Sequence, residues 1–228
     1  MLGPTTLNIT HNLTNTLGLA IVRGEYAGAL PSEADLCHQY GVSRSSTREA
    51  VKMLSAKGLI QSRPKQGIRI QEERYWNMFD GDVLKWILVS KPTLELLKEF
   101  LDVRVVIEPQ AAALATKNGN EEAIAGIRRA LIRLNEADVG LDDPLEAEVE
   151  FHTAILDASG NRFLAQFSDF VGTALRVTQR YTSKIRGGLE LNLKQAQTVY
   201  EAIASGDAKT AEAAMRSQLS ELIDLLNG

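Results

Sequence analysis

Arginine and hydroxyl side chains gathered on the first turns of a helix can read a DNA duplex. Guanidinium groups pair bidentately with guanine edges, and hydroxyls reach bases or phosphates in the major groove. Arg44, Ser45, Thr47 and Arg48 form such a group. They open a stretch, Arg44 to Lys57, in which Ala50, Val51 and Leu54 share one helical face while Arg44, Ser45, Arg48 and Lys52 can face outward. Arg63, Lys65 and Arg69 lie on and beside the turn Arg63-Pro64-Lys65-Gln66-Gly67, where cations track phosphate and can enter the minor groove. The charge is concentrated here. Between Gly41 and Ile70 seven Lys or Arg face the single acid Glu49, and residues 1–70 carry +4 while the remainder carries −8, within a net charge of −4. A polyanion is the partner this distribution selects.

Other chemistry is sparse. The three histidines, His11, His38 and His152, come with no nucleophile elbow, phosphate-binding loop or dinucleotide fingerprint, which argues against an enzyme. Glu148 and His152 stand i, i+4 on one helix face, where both can point into one cavity. The single cysteine, Cys37, can form neither an intrachain disulfide nor a multi-thiolate zinc site, and is expected to be a buried spectator in a reducing, cytoplasmic compartment. No apolar stretch approaches the roughly 18 uncharged residues of a membrane span, so no membrane association is expected. With 44% apolar and 24% charged residues, the chain can bury a core.

The elements that position these groups follow from periodicity and punctuation. Leu13, Leu17, Ala20 and Ile21 mark a helix over about 8–23 that stops at Gly24. Ser32, after Pro31, caps a second helix that runs to Tyr40 and ends at Gly41, and the Arg44–Lys57 helix follows. Leu59–Ser62 and Ile68–Ile70 bracket the basic turn as a two-stranded hairpin, a wing. Residues 71–92 form a connector whose Trp76, Phe79, Val83, Leu84, Trp86 and Ile87 are too apolar for a free linker, so it must dock. Beyond Thr93, helical stretches punctuated by glycine suggest six helices, over 93–117, 120–137, 144–159, 161–185, 190–205 and 207–226. The expected fold is mainly α: a winged helix-turn-helix over 1–70, a docked connector over 71–92, and an all-helical bundle over 93–228 for effector binding and dimerisation.

The runs Leu30-Pro31-Ser32-Glu33, Gly41-Val42-Ser43-Arg44, Arg48-Glu49-Ala50, Leu54 and Gly58-Leu59-Ile60 resemble the winged helix of GntR-type bacterial transcription regulators. Val103-Arg104, Ile107-Glu108-Pro109, Phe151-His152 and Ala158-Ser159-Gly160-Asn161 resemble the FCD-type effector domain of the fatty-acid-regulator branch. The connector from Trp76 to Trp86 resembles the members of that branch that repress sugar-acid operons of the galactonate type. The resemblance implies a homodimer on a palindromic double-stranded DNA operator, a repressor released by a small carboxylate effector. It casts Arg44 and Arg48 as base-reading and phosphate-gripping arginines, with Ser32, Ser43, Thr47 and Gly67 close to the DNA backbone. Two features depart from the family: the turn from Gly24 to Leu30 is short, and Lys65 stands where a wing glycine is common.

Many members of this branch hold a divalent metal through an Asp and three His. Here the corresponding positions are Glu148, His152, Ala196 and Gln218, so only Glu148 and His152 remain as metal ligands and no cofactor is required. Without a cation, an acidic effector needs arginine or neutral donors, for which Arg104, Asn161, Arg176, Arg180 and Gln218 are candidates alongside Glu148 and His152. Two alternatives stay open at this level: a metal-gated DNA regulator built on Glu148 and His152, and a DNA-binding protein whose effector pocket is non-functional.

Overall fold

The computed structural model describes residues 6–63, 66–186 and 193–227, with side chains over 9–63, 66–176 and 193–224. The chain forms two compact units, Met1–Lys91 and Pro92–Gly228.

In the first unit α1 (Thr6–Arg23) buries Leu13, Leu17, Ala20 and Ile21, the face its periodicity marks. α2 (Glu33–Tyr40) starts at Ser32, whose Oγ accepts from Asp35 N, and stops at Gly41 in the left-handed region at φ 62°. α3 (Arg44–Ala56) is capped by Ser43 and buries Ala50, Val51 and Leu54. The wing is β2 (Ile60–Arg63) against β3 (Gly67–Ile70), antiparallel, with Gln61 opposite Arg69 and Ser62 opposite Ile68. A third strand, β1 (Ala29–Leu30), pairs with the other edge of β3, so the sheet has three strands in the order β1-β3-β2 rather than the expected two. Two residues between Gly28 and Pro31 are too few to show an alternation. β1 exists because β3 offers an unpaired edge.

The connector docks within this first unit. α4 (Gly81–Ser90) is capped by Asp80 and buries Val83, Leu84, Trp86, Ile87 and Leu88. Gly18 of α1 makes room for the Trp86 ring: a Cβ there would stand 2.5 Å from a ring carbon. Trp86 Nε1 donates to Asn15 Oδ1 at 3.3 Å. Lys57, just past α3, reaches Asp80 at 2.7 Å and Asp82 at 2.9 Å, and its ammonium lies 5.8 Å from the centre of the Trp86 ring. Burial depresses its pKa, but the two carboxylates outweigh that and raise it. Gly58, at φ 80°, lets the Tyr75 carbonyl pass where a Cβ would sit 2.1 Å away.

The second unit is a helical bundle. α5 (Leu94–Asn118) lies against α11 (Ala208–Asn227) and α7 (Pro144–Ala158), α6 (Glu121–Asp138) against α7, and α10 (Leu193–Ser205) against α11. The stretch expected as one helix over 161–185 is divided at Gln166 into α8 (Arg162–Ala165) and α9 (Phe167–Arg186). Gln166 keeps right-handed helical angles but turns its N–H to Leu164 O, so the helical bonding pattern is broken without a change of hand. Pro109 lies buried inside α5 and cannot donate to Val105 O. Arg216 of α11 donates Nη1 to that carbonyl at 3.3 Å. Beside it Gln110 Nε2 donates to Glu212 Oε1 at 2.9 Å, and the two contacts fix the antiparallel register of α11 on α5.

Candidate functional site

In the first unit Arg44, Ser45 and Arg48 are exposed on the first turns of α3, as are Arg63 and Arg69 on the wing strands. None of these four arginines has an ion-pair partner among the described residues. Gly67 opens β3 at φ 77°. Ser43 Oγ accepts from Ser46 N at 3.1 Å and lies 2.9 Å from both Ser45 Oγ and Ser46 Oγ, a hydroxyl cluster at the positive end of the helix dipole. Ser32 remains exposed at the start of α2, its Oγ donating to Asp35 Oδ2 at 2.6 Å.

Thr47, expected near the DNA backbone, is fully buried. Its Oγ1 donates to Ser43 O at 3.1 Å and accepts from Cys37 Sγ at 3.2 Å, so it ties α2 to α3 from the inside. Cys37 is half-buried rather than sequestered, and its thiol takes part in that tie. Lys65 lies outside the described residues.

In the second unit the expected pairing of Glu148 with His152 gives way to a different constellation. His152 Nδ1 lies 2.6 Å from Glu108 Oε2, and Arg104 grips the same carboxylate, Nε to Oε1 at 2.5 Å and Nη2 to Oε2 at 3.3 Å. All three side chains are 1% exposed. Burial pushes the Glu108 carboxyl upward, but the charges and hydrogen bonds of Arg104 and His152 outweigh it and hold the pKa at about 2. Glu108 of α5 is therefore a buried anion held by Arg104 of its own helix and by His152 of α7. By spacing alone Arg104 and Glu108, i, i+4, form only a helix pair. What spacing could not supply was burial, which turns a helix-surface pair into a buried charge triad.

Other expected effector residues are engaged elsewhere. Asn161 caps α8, its Oδ1 accepting from Phe163 N at 2.9 Å and Leu164 N at 3.4 Å. Arg176 is exposed and binds Glu146 bidentately, both contacts at 2.7 Å. Those bonds lower the Glu146 pKa and raise that of Arg176. Glu148 is half-buried and makes no ion pair or hydrogen bond among the described residues. Gln218 is half-buried, with its Oε1 buried and without a hydrogen-bond partner. The Arg180 side chain lies outside the described residues.

The donor set does not fit a metal. Ala196 is buried and carries no ligand atom, one imidazole edge of His152 is already committed to Glu108, and no group of three or more His, Cys, Asp or Glu is assembled among the described residues. No described helix is long and apolar enough to cross a membrane.

A family model of the FCD domain matches residues 99–221, and one of bacterial regulatory proteins of the gntR family matches residues 14–70. The chain is 31% identical to the HTH-type transcriptional regulator YieP of Escherichia coli K12 over 92% of its length and 94% of that protein. It is 30% identical to the galactonate operon transcriptional repressor of the same organism, over 94% of the chain and 95% of the repressor. Among solved structures, the Listeria monocytogenes protein Lar shares the fold at a TM-score of 0.60 and 19% identity, covering 96% of each chain. The exposed arginines on a capped recognition helix and the helical unit around Arg104, Glu108 and His152 thus have one setting: the chain is a DNA-binding transcription regulator of the GntR family, in the branch that carries an FCD domain.

Proposed function

We propose that the chain is a cytoplasmic homodimeric repressor that grips a palindromic operator and lets it go when a small carboxylic acid enters the FCD unit. On the DNA side Arg44 and Arg48 read and clamp the major groove, Ser32, Ser43 and Ser45 hold phosphates, and Arg63, Lys65, Gly67 and Arg69 follow the backbone from the wing. On the effector side the buried Arg104–Glu108–His152 triad is the anchor. That triad is the single observation that carries the effector reading, because buried charges are costly to keep and cluster where ligands bind. The galactonate repressor, alike over most of both chains, supports repression and a sugar-acid ligand.

The coupling is thermodynamic. An effector that binds the DNA-incompetent arrangement better shifts the population towards it, and operator DNA weakens effector binding by the same factor. No metal is needed in this scheme, a reading supported by the replacement of two family ligand positions with Ala196 and Gln218. The experiment is a fluorescence-anisotropy titration of chelator-treated protein against an operator selected from a random duplex pool, with sugar acids added in turn. Release by at least one acid supports the reading. Operator affinity that no acid alters contradicts it.

A further inference from the structure

α6 buries Ile127, Ala130, Leu131, Leu134 and Ala137 on one side, where it packs on α7 and α10. At about 100° per residue, the side turned away from them is the stripe Ala125, Arg128, Ile132, Glu136 and Val139, all within about 40° of Ile132. A helix whose outer face meets only water carries polar and charged groups there. This stripe has Ile132 at its centre, 47% exposed, and Val139 at its C-terminal end, 69% exposed, with Leu141 following at 79%. Leu141 stays close to that end because its N–H donates to Glu136 O at 2.8 Å. Apolar groups gathered on an outer helix face mark a contact with another molecule. The charges of the stripe are also unspent. Arg128 and Glu136 are exposed and neither side chain has an ion-pair partner among the described residues, whereas Arg133, on the flank, is held by Asp142 and Glu150.

The order of residues along the stripe selects the partner. Arg128 and Glu136 stand about one turn to either side of Ile132, and Ala125 and Val139 about two turns to either side. Two such helices laid antiparallel about a two-fold axis at Ile132 set each residue against the one equally far on the other side. Arg128 of each copy then meets Glu136 of the other, Val139 covers the small Ala125, and the two Ile132 side chains meet on the axis. A parallel pairing would set Arg128 on Arg128 and Glu136 on Glu136, which repel. Self-complementarity under a two-fold rotation is what an isologous homodimer requires, and a palindromic operator calls for the same symmetry. We propose that α6 is the homodimer seam: it packs antiparallel on α6 of a second copy, with Ile132 on the axis and an Arg128–Glu136 ion pair on each side of it. This rests on the homodimer reading above and gives it a surface, a direction and a register. α6 carries none of the DNA-facing residues and no member of the buried triad, so the seam can be tested apart from both.

Cysteine cross-linking of the full chain locates the axis. In a Cys37→Ser background, Ile132→Cys places two thiols on the axis and should link the protein into a disulfide dimer under mild oxidation, while Val106→Cys, exposed on α5, should run as a monomer on a non-reducing gel. Sedimentation velocity reads the charge pairs. Arg128→Glu and Glu136→Arg should each raise the dimer dissociation constant about tenfold or more. Arg128→Glu/Glu136→Arg should return it to within about threefold of the native value, because the two-fold restores both pairs with their signs exchanged. Arg128, Ile132 and Glu136 are all exposed, and far-UV circular dichroism checks that the variants keep their helices. A protein that is dimeric yet does not link through Ile132→Cys, or whose double variant associates no more tightly than the single ones, overturns the α6 seam and leaves the homodimer standing. Linking through Val106→Cys in its place overturns the seam in favour of α5. A chain that stays monomeric at the concentrations where it binds operator overturns the seam and the homodimer reading together.

Discussion

Replacing Glu108 with Gln is the sharpest perturbation of the FCD unit, because it removes one charge from a triad that water does not reach. In the native protein Glu108 accepts from Arg104 at 2.5 Å and from His152 at 2.6 Å, and all three groups are 1% exposed. The amide keeps the shape and one acceptor but leaves the Arg104 charge buried with no counter-ion. Breaking a buried pair by neutralising one partner costs about 3–5 kcal/mol, whereas replacing both partners with apolar groups of like volume is often about neutral. Urea unfolding followed by circular dichroism should therefore show Glu108→Gln destabilised by about 3 kcal/mol or more, and Arg104→Met/Glu108→Leu recovering most of that loss. The pH dependence has a defined sign. The folded pKa of Glu108, about 2, is depressed from its ordinary 4.5, so its contribution is complete above 4.5 and lost as pH falls from there towards 2. Glu108→Gln should lack that loss. A destabilisation under about 1 kcal/mol, or a double variant no better than the single one, would refute the triad as a buried charge cluster.

The other predictions follow from the same geometry. Arg48→Ala should cost about 1–3 kcal/mol of specific operator binding and lower the slope of log affinity against log salt by about one, with helical content unchanged. Normal binding in a gel-shift titration would remove Arg48 from the recognition surface. Arg176→Ala should change stability by less than about 1 kcal/mol, because its Glu146 partner is solvent-exposed, and should leave effector release intact; loss of release would return Arg176 to the site. Gly18→Val should lower the denaturation midpoint of the first unit by forcing Trp86 off α1, at about 1–3 kcal/mol. An unchanged midpoint would show that α4 does not depend on that contact.

Much of the DNA-binding half was legible because its signals are local. Ser32, Gly41 and Ser43 mark helix ends through their own backbone and hydroxyl chemistry, and the α3 helix separates Val51 and Leu54 from Arg44 and Arg48 by period alone. Thr47 was misplaced for the same reason. As a hydroxyl between two arginines it reads as a DNA contact, and only the packing of α2 shows Cys37 taking its oxygen. The strand β1 escaped because two residues hold no pattern, and its cause, the free edge of β3, is distant in sequence. In the second unit the helices could be read, but the buried triad could not. Glu108 and His152 are on different helices, and their bond depends on how α5 packs on α7. Asn161 and Arg176 have the right chemistry for a carboxylate and are used as a cap and a surface clasp.

The proposed coupling joins a duplex grip at Arg44 and Arg48 to a carboxylate effector bound at the buried Arg104–Glu108–His152 triad. Operator affinity measured by anisotropy against rising D-galactonate, in chelator-treated protein, tests it most directly. A saturable fall in affinity of about fivefold or more, a coupling of at least about 1 kcal/mol, is expected. A flat titration that stays flat with gluconate and lactate would contradict it.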